Sequence, residues 1–402
     1  MTVAADRDLL FAASTLRSVA VGLTGVILSI YLSTIGANAW LIGLVVTLGL
    51  AGCALGTFAV TWGSERWGRR RTLVVLSLLM VLGGLVLAFT TRTGLIAVAA
   101  LVGMVNGMGR DRGAAMTVEQ VILPQTTSAS QRTNMFAWYN LLSDGGHALG
   151  ALLGGLPAFL RAVCGLDALA SYRWTFLAYS GLSVLSALCY VRLSPAVELG
   201  VREPVRPLSA RARPLIAKFS ALSAIDSFGG GFLTSAMVSY WFFRRFGVDE
   251  GLLGPLFFAV RIANGVSHLG AAWMARRIGL VNTMVFTHLP SSVLLLAIPF
   301  VPSLPAAVAL FVLRECFVEM DVPTRQSYLV AVVAPHERAR AAGLTNLTRS
   351  TAWAIAPVLG GSLMGSMSLS APLLIGPTLK IGYDLLLYRA FRGIHPPEEE
   401  GG

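Results

Sequence analysis

Glu65-Arg66-Trp67-Gly68-Arg69-Arg70-Arg71 is the stretch whose reading decides the fold. It stands between two runs, 40–62 and 72–91, that hold no Asp, Glu, Lys or Arg at all. A helix crossing a lipid bilayer needs about 20 apolar residues, and both runs have that length. Five charges packed into seven residues between them make a short basic connection on one membrane face. Extending the same rule outward gives further spans near 9–35, 95–121, 134–160 and 173–193, and then 217–242, 252–275, 281–301, 304–333, 343–367 and 370–391. The total is twelve.

Composition excludes an ordinary soluble protein. Of 402 residues, 55% are hydrophobic and 13% are charged, against roughly 25% charged in soluble domains. The net charge of +11 does not mark a nucleic-acid partner, because the basic residues lie between apolar segments rather than on one hydrophilic face. Cys53, Cys164, Cys189 and Cys316 are too scattered for a metal or redox spacing and read as small buried apolar residues. Met1 to Asp8 is polar with both signs of charge, so the first span reads as retained rather than cleaved.

The loops orient the chain. With a cytoplasmic N-terminus, that side receives Arg66, Arg69, Arg70, Arg71, Arg132, Arg276, Arg277, Arg338, Arg340 and the arginines of a Pro-rich linker. The opposite side holds Arg92, Arg161, Arg173, Arg244 and Arg245. Lys and Arg collect on cytoplasmic loops, so both termini and the linker are expected in the cytoplasm, and the chain in the cytoplasmic (inner) membrane.

The two halves resemble each other. A shift of 206 positions places Gln120 on Gln326, Arg132 on Arg338, Asn140 on Asn346 and Ala148 on Ala354. The same shift lays Leu153-Gly154-Gly155 on Leu359-Gly360-Gly361. Duplication explains matches at polar and glycine positions, and parallel repeats of six helices are a known transporter plan. The expected fold is therefore an all-α membrane protein of twelve transmembrane helices, in two six-helix bundles related by pseudo-twofold symmetry. The bundles run 1–193 and 217–392, with a linker at 194–216 and a tail at 393–402.

Residues 65–71 resemble the acidic-Arg-x-Gly-Arg-Arg loop of the major facilitator superfamily, which joins helices two and three. A weaker copy, Arg276-Arg277-Ile278-Gly279, lies between helices eight and nine. The family's leading glycine falls on Thr61 here, and Glu65 replaces the commoner aspartate. The resemblance implies a gating charge network of Glu65, Arg66, Gly68, Arg69 and Arg70, with Arg276, Arg277 and Gly279 in the second half. Its plainer alternative is a loop that only anchors topology. Gly146-His147-Ala148-Leu149-Gly150-Ala151 through Gly155 is similar to the glycine-rich fifth-helix motif of the family's antiporters, with Ala151 where proline is usual. Ala356-Pro357 to Gly361 is its counterpart in the eleventh span. Small residues allow close helix approach, so these segments are candidates for the surface on which the halves rock, or else for ordinary tight packing.

Ionisable residues at membrane depth are costly unless they face protein or water. They are unevenly spread: the first span has Arg17, the fourth Arg110, Asp111, Arg112 and Glu119, the seventh Asp226, and the tenth Arg314, Glu315, Glu319, Asp321 and Arg325. The third, sixth and ninth have none in their middles. The family resemblance implies that helices one, four, seven and ten line a central cavity while three, six and nine face lipid, which this pattern matches. Arg17, Arg112, Asp226, Arg261, Arg314 and Glu315 are candidates to bind solute. Asp111, Asp144, Glu319 and Asp321 are candidates to carry a proton, with His147 beside Asp144. Arg261 could instead pair with Asp226, and Lys380 with Asp384 reads as a local ion pair at four-residue spacing.

These residues predict a secondary active transporter working by alternating access, on a small anionic or zwitterionic solute with protons as coupling ion. Proton-driven efflux of amphipathic drugs or metabolites is the second reading, and a non-transporting membrane sensor the third. Gly107-x-Gly109-x-x-x-Gly113 has the wrong spacing for a nucleotide loop. Neither HExxH nor a Ser/His/Asp set on facing spans is present, so no enzyme, cofactor or metal is expected. The partners expected are lipid, solute and protons, with the chain a monomer.

Overall fold

The computed structural model describes residues 3–111, 113–128, 131–198, 209–210, 212–331, 333–334 and 337–392. Among them are sixteen α-helices and no strand. Eight expected spans are single helices: α1 (Val3–Thr34), α2 (Ala39–Trp67), α3 (Arg69–Phe89), α8 (Ala168–Val191), α11 (Glu250–Ile278), α12 (Leu280–Ala297), α15 (Arg338–Ser366) and α16 (Ala371–Phe391). The other four are each broken in two. The fourth is α4 (Thr93–Val102) and α5 (Ala114–Ile122), and the fifth is α6 (Arg132–Leu153) and α7 (Leu156–Cys164). The seventh is α9 (Ala212–Gly231) and α10 (Ser235–Phe246), and the tenth is α13 (Leu304–Val318) and α14 (Asp321–Ala331). Among the described residues, seven helices are long and apolar enough to cross a membrane on length and composition alone, the fifth span counting as one run over Asn134–Cys164. The fourth, seventh and tenth spans fall short because they are split, and the last two carry Arg349, Lys380 and Asp384 in their interiors. The linker and tail lie largely outside the described residues.

Two compact units form. The first comprises Met1–Arg202, Thr234–Arg261 and Pro357–Ser366, and the second Glu203–Leu233, Ile262–Ala356 and Met367–Gly402. In the first unit α1 is the axis: 89% of its most apolar window is buried, against 50% for α3 and 44% for α8. The exposed share is apolar, with Val75, Leu78 and Leu82 on α3 and Trp174, Leu185 and Leu188 on α8 about half exposed. Faces of that kind suit lipid.

Small residues fix the approach of α6 to α1. A Cβ on Gly150 would collide with the Val19 carbonyl, one on Gly22 with the His147 carbonyl, and one on Gly146 would lie 2.8 Å from the Thr15 carbonyl. The glycine stripe of the fifth span is therefore spent on α1. In the same unit the counterpart stripe meets α2, where a Cβ on Gly43 would strike the Pro357 carbonyl and one on Gly361 the Ala39 carbonyl. The Thr47 hydroxyl accepts from the Val358 N–H at 2.9 Å, joining α2 to α15.

The second unit packs α16 against α9 and α12, and α12 against α13 and α14. Its apolar core runs from Ile216 and Phe219 through Met284, Val285 and Tyr328 to Leu387 and Phe391.

Candidate functional site

The stretch at 65–71 is not a loop. Helix α2 ends at Trp67, α3 begins at Arg69, and Gly68 alone makes the corner at φ 89°, a conformation glycine adopts without strain. The carboxylate that serves this corner comes from Glu198, beyond the sixth span. Its two oxygens accept the first N–H groups of α3, from Arg69 at 2.6 Å and Arg70 at 3.0 Å. A negative charge on the free donors of a helix N-terminus is well placed. Arg69 is buried and donates to the Val197 carbonyl at 3.2 Å and Gln125 at 3.3 Å, while Arg70 donates to the Leu193 carbonyl at 3.0 Å. Arg66 is exposed, and the Glu65 side chain lies outside the described residues. The second copy keeps the corner: Gly279 has φ 82° before α12. There Arg276 is exposed, and Arg277 lies over the Trp273 ring at 4.6 Å.

The break in the fourth span positions the first charged site. Residues 103–113 carry Gly103, Gly107, Gly109 and Gly113, and both Met104 (φ 51°) and Gly109 (φ 72°) are left-handed. Irregular backbone at membrane depth needs its polar groups answered by protein or by water in a cavity. Asn106 answers two, accepting from the Met108 N–H and donating to the Arg110 carbonyl, each at 2.7 Å. Thr24 donates to the Asn106 carbonyl at 3.0 Å, Ser235 to the Met108 carbonyl at 2.9 Å, and the Ala236 N–H to the Gly107 carbonyl at 3.0 Å.

Arg17 of α1 reaches this break, 3% exposed. Its Nε donates to Asp111 at 2.5 Å, and its two terminal nitrogens hold both Glu119 oxygens at 3.0 and 2.6 Å. Tyr139 and Tyr190 donate to the same carboxylate at 2.7 and 2.6 Å, and Tyr190 also accepts from Arg17. Asp111 accepts from the Gly113 N–H at 2.9 Å, and its own N–H donates to His147 Nε2 at 2.8 Å. Arg17, Asn106 and Asp111 border a cavity of about 20 Å³, room for roughly one water. Arg112 lies outside the described residues. Asp144, expected to be buried, has a side chain 55% exposed and stands 3.9 Å from His147 Nδ1. Arg261 donates to Ser235 at 3.1 Å; its alternative partner, Asp226, is bound elsewhere.

The second unit holds the larger cluster. Asp226 of α9 lies 2.6 Å from Lys380, 3.4 Å from Arg325 and 3.6 Å from Arg349. Arg325 also binds Asp321 at 2.6 Å. Arg349 lies over the Trp353 ring at 5.0 Å, and its Nη1 is buried with no hydrogen-bond partner. Lys380 and Asp384 do not pair with each other. Lys380 turns to Asp226, and Asp384 binds His288 Nδ1 at 2.9 Å. Four-residue spacing permits a pair without requiring it: buried Asp321 and Arg325 in α14 do pair at that spacing, whereas Lys380 and Asp384 each have a partner on another helix.

Arg314 and Glu315 pair side by side in α13. Glu315 also accepts from Asn264 at 2.7 Å. One turn further along both helices, Glu319 at the end of α13 stands 3.8 Å from His268 of α11. The helix breaks between Val318 and Asp321, so Arg314 and Glu315 lie on α13 and Asp321 and Arg325 on α14.

The sixth and ninth spans, expected to face lipid, turn Tyr190 and His288 inward. Neither residue was reachable by a search for Asp, Glu, Lys and Arg. Glu198, Lys380 and Arg349 carried charges but stood in the linker and in the last two spans, outside the expected cavity helices.

Sequence comparison agrees with this architecture. The Major Facilitator Superfamily profile matches residues 10–357, and again 219–401. The chain belongs to that superfamily, and it is a membrane transporter by family. An uncharacterized membrane protein of Saccharomyces cerevisiae is 28% identical over 97% of this chain and 94% of its own length. Among solved structures, the nucleoside transporter NupG superposes with a TM-score of 0.72 at 14% identity, covering 96% of this chain and 98% of its own. A D-xylose-proton symporter gives 0.67 at 16% identity, covering 96% of each chain. The human organic anion transporter MFSD10 gives 0.60 at 18%, covering 95% of this chain and 98% of its own. At these identities the likeness is one of fold.

Proposed function

We propose that the protein is a secondary active transporter that moves a small anionic or zwitterionic solute by alternating access, coupled to protons. One observation carries the anionic reading. Three buried cations, Arg325, Arg349 and Lys380, meet at the Asp226 carboxylate, with Arg325 also held by Asp321, and one guanidinium nitrogen of Arg349 is left with an open donor. A buried donor without a partner is unfavourable, and a carboxylate or phosphate oxygen of a solute would relieve it. Arg17 is the corresponding cation at the broken fourth span. Asp111 beside Arg17, Asp321 beside Arg325 and Glu319 next to His268 are proposed proton groups. The orientation with both termini in the cytoplasm, and the gating role of the two glycine corners, belong to the same proposal.

The similar proteins include nucleoside, sugar and organic-anion transporters by name, a range that leaves the solute open. The second reading, efflux of amphipathic compounds, is favoured by an open apolar groove of about 670 Å³ in the second unit, bordered by Ile225, Phe228, Thr351 and Ile355.

The test is a thermal-stability screen of the detergent-purified chain against organic acids, amino acids, phosphorylated solutes, nucleosides and cationic amphiphiles. Stabilisation by an anion or zwitterion that is abolished in Arg349→Gln supports the first reading. Stabilisation by cationic amphiphiles alone supports the second.

A further inference from the structure

We propose that His288 is a further proton-binding group of the second unit, and that its protonation prepares the Asp226 cluster to accept an anion. This deepens the proton-coupled reading above and rests on it. His288 lies on the ninth span, 1% exposed, and both ring nitrogens face charged groups. Nδ1 stands 2.9 and 3.0 Å from the two oxygens of Asp384. A carboxylate accepts only, so Nδ1 carries a hydrogen and donates it. Nε2 stands 3.3 Å from the Lys380 ammonium and 3.7 Å from an Asp226 oxygen. An ammonium donates only, so against Lys380 the ring must be neutral and accepting. Against Asp226 it must be protonated and donating. The ring is placed between a partner for each state.

The surrounding charges give that choice a consequence. From α16 the ring meets Asp384 and Lys380, with the Tyr383 ring at 6.1 Å. From α9 it meets Asp226, which is shared with Arg325 of α14 and Arg349 of α15, and Arg325 is also held by Asp321. Three cations and three carboxylates balance when the ring is neutral. When the Nε2 lone pair takes a proton from hydronium, releasing water, the buried cluster gains one positive charge with no counter-charge. The extra charge disfavours the protonated ring without forbidding it, because the Asp384 and Asp226 carboxylates beside the ring favour that state. A solute anion reaching the open Nη1 of Arg349 restores the balance, so proton and anion bind together.

The test is a pH titration of the 15N-histidine-labelled full chain in lipid nanodiscs. The chain has only five histidines, and the His288 signal is the one missing in His288→Gln. If that variant does not fold, the signal is identified as the one moved by both Asp384→Asn and Lys380→Met. We expect the His288 ring to pass from neutral to protonated as the pH falls. We expect its midpoint to move to lower pH in Asp384→Asn and to higher pH in Lys380→Met, each by about one unit or more. A His288 signal that stays neutral throughout, or a midpoint unmoved by both substitutions, overturns the proposal. The titration needs no solute. A silent His288 therefore leaves the anionic-solute reading standing, whereas a titrating His288 with no anion or zwitterion stabilising the protein overturns that reading instead.

Discussion

Glu119 and Arg325 stand 206 positions apart, at equivalent points of the duplicated sequence, and they carry opposite charges. Glu119 binds Arg17 of the first span, and Arg325 reaches Asp226 of the seventh at 3.4 Å. The same link between the first and fourth helices of each repeat is thus built twice, with its polarity reversed. One copy surrounds a carboxylate with an arginine and two tyrosines. The other surrounds a carboxylate with three cations. The repeat preserves where the charges sit, while its divergence sets their sign.

Glu119 is fully buried and takes bonds from Arg17, Tyr139 and Tyr190. Removing one partner of a buried ion pair typically costs about 3–5 kcal/mol. Glu119→Gln is expected to lose stability of that order, seen as a lower thermal midpoint in detergent. The double change Arg17→Met with Glu119→Leu should lose less than the two single changes together, because no charge is then stranded. Additive losses would show that the pair is not coupled.

Asp226 offers the reciprocal case. Asp226→Asn strands Arg349 and Lys380 beside a neutral amide, with Arg325 still held by Asp321, and it is expected to cut the yield of folded protein severely. Adding Lys380→Met should restore much of that yield by removing the closest cation. A double variant no better than the single one would mean that Lys380 does not answer Asp226.

The Glu198 carboxylate caps α3. Glu198→Ala should cost about 1 kcal/mol, the usual value of a helix cap, with faster amide exchange confined to the first turn of α3. An unchanged exchange rate at Arg69 and Arg70 would show that the cap contributes nothing.

Much of this was legible in the sequence. The charged stretch at 65–71 and its flanking apolar runs marked the family, and the twelve spans followed from length and polarity. The breaks did not follow. A window of about 20 residues averages Gly103, Asn106 and Gly113 into an apolar mean, although together they stop a helix. Arg17, Asp111 and Asp226 were found because charge at membrane depth is rare. Tyr190 and His288 escaped because they are uncharged by composition, and only the fold turns them inward. The Lys380–Asp384 spacing misled because Asp226 and His288, on other helices, stand close enough to take the two charges.

Glycine positions separate packing from mere flexibility. Gly150→Val should lower the yield of monodisperse protein, since even a Cβ there collides with the Val19 backbone. Gly181→Ala, which has nothing within 4 Å of its Cβ position, should be neutral or stabilising by a few tenths of a kcal/mol to about 1 kcal/mol. Equal tolerance at both sites would contradict the close approach of α6 to α1.

Proton movement coupled to solute is the most direct test of the account. Proteoliposomes loaded with a pH-sensitive dye would receive organic acids, amino acids and phosphorylated solutes one at a time. The account predicts that at least one anion or zwitterion drives a change of internal pH that is absent from empty liposomes and from Arg349→Gln. Solute movement that leaves internal pH unchanged and survives Arg349→Gln would contradict it.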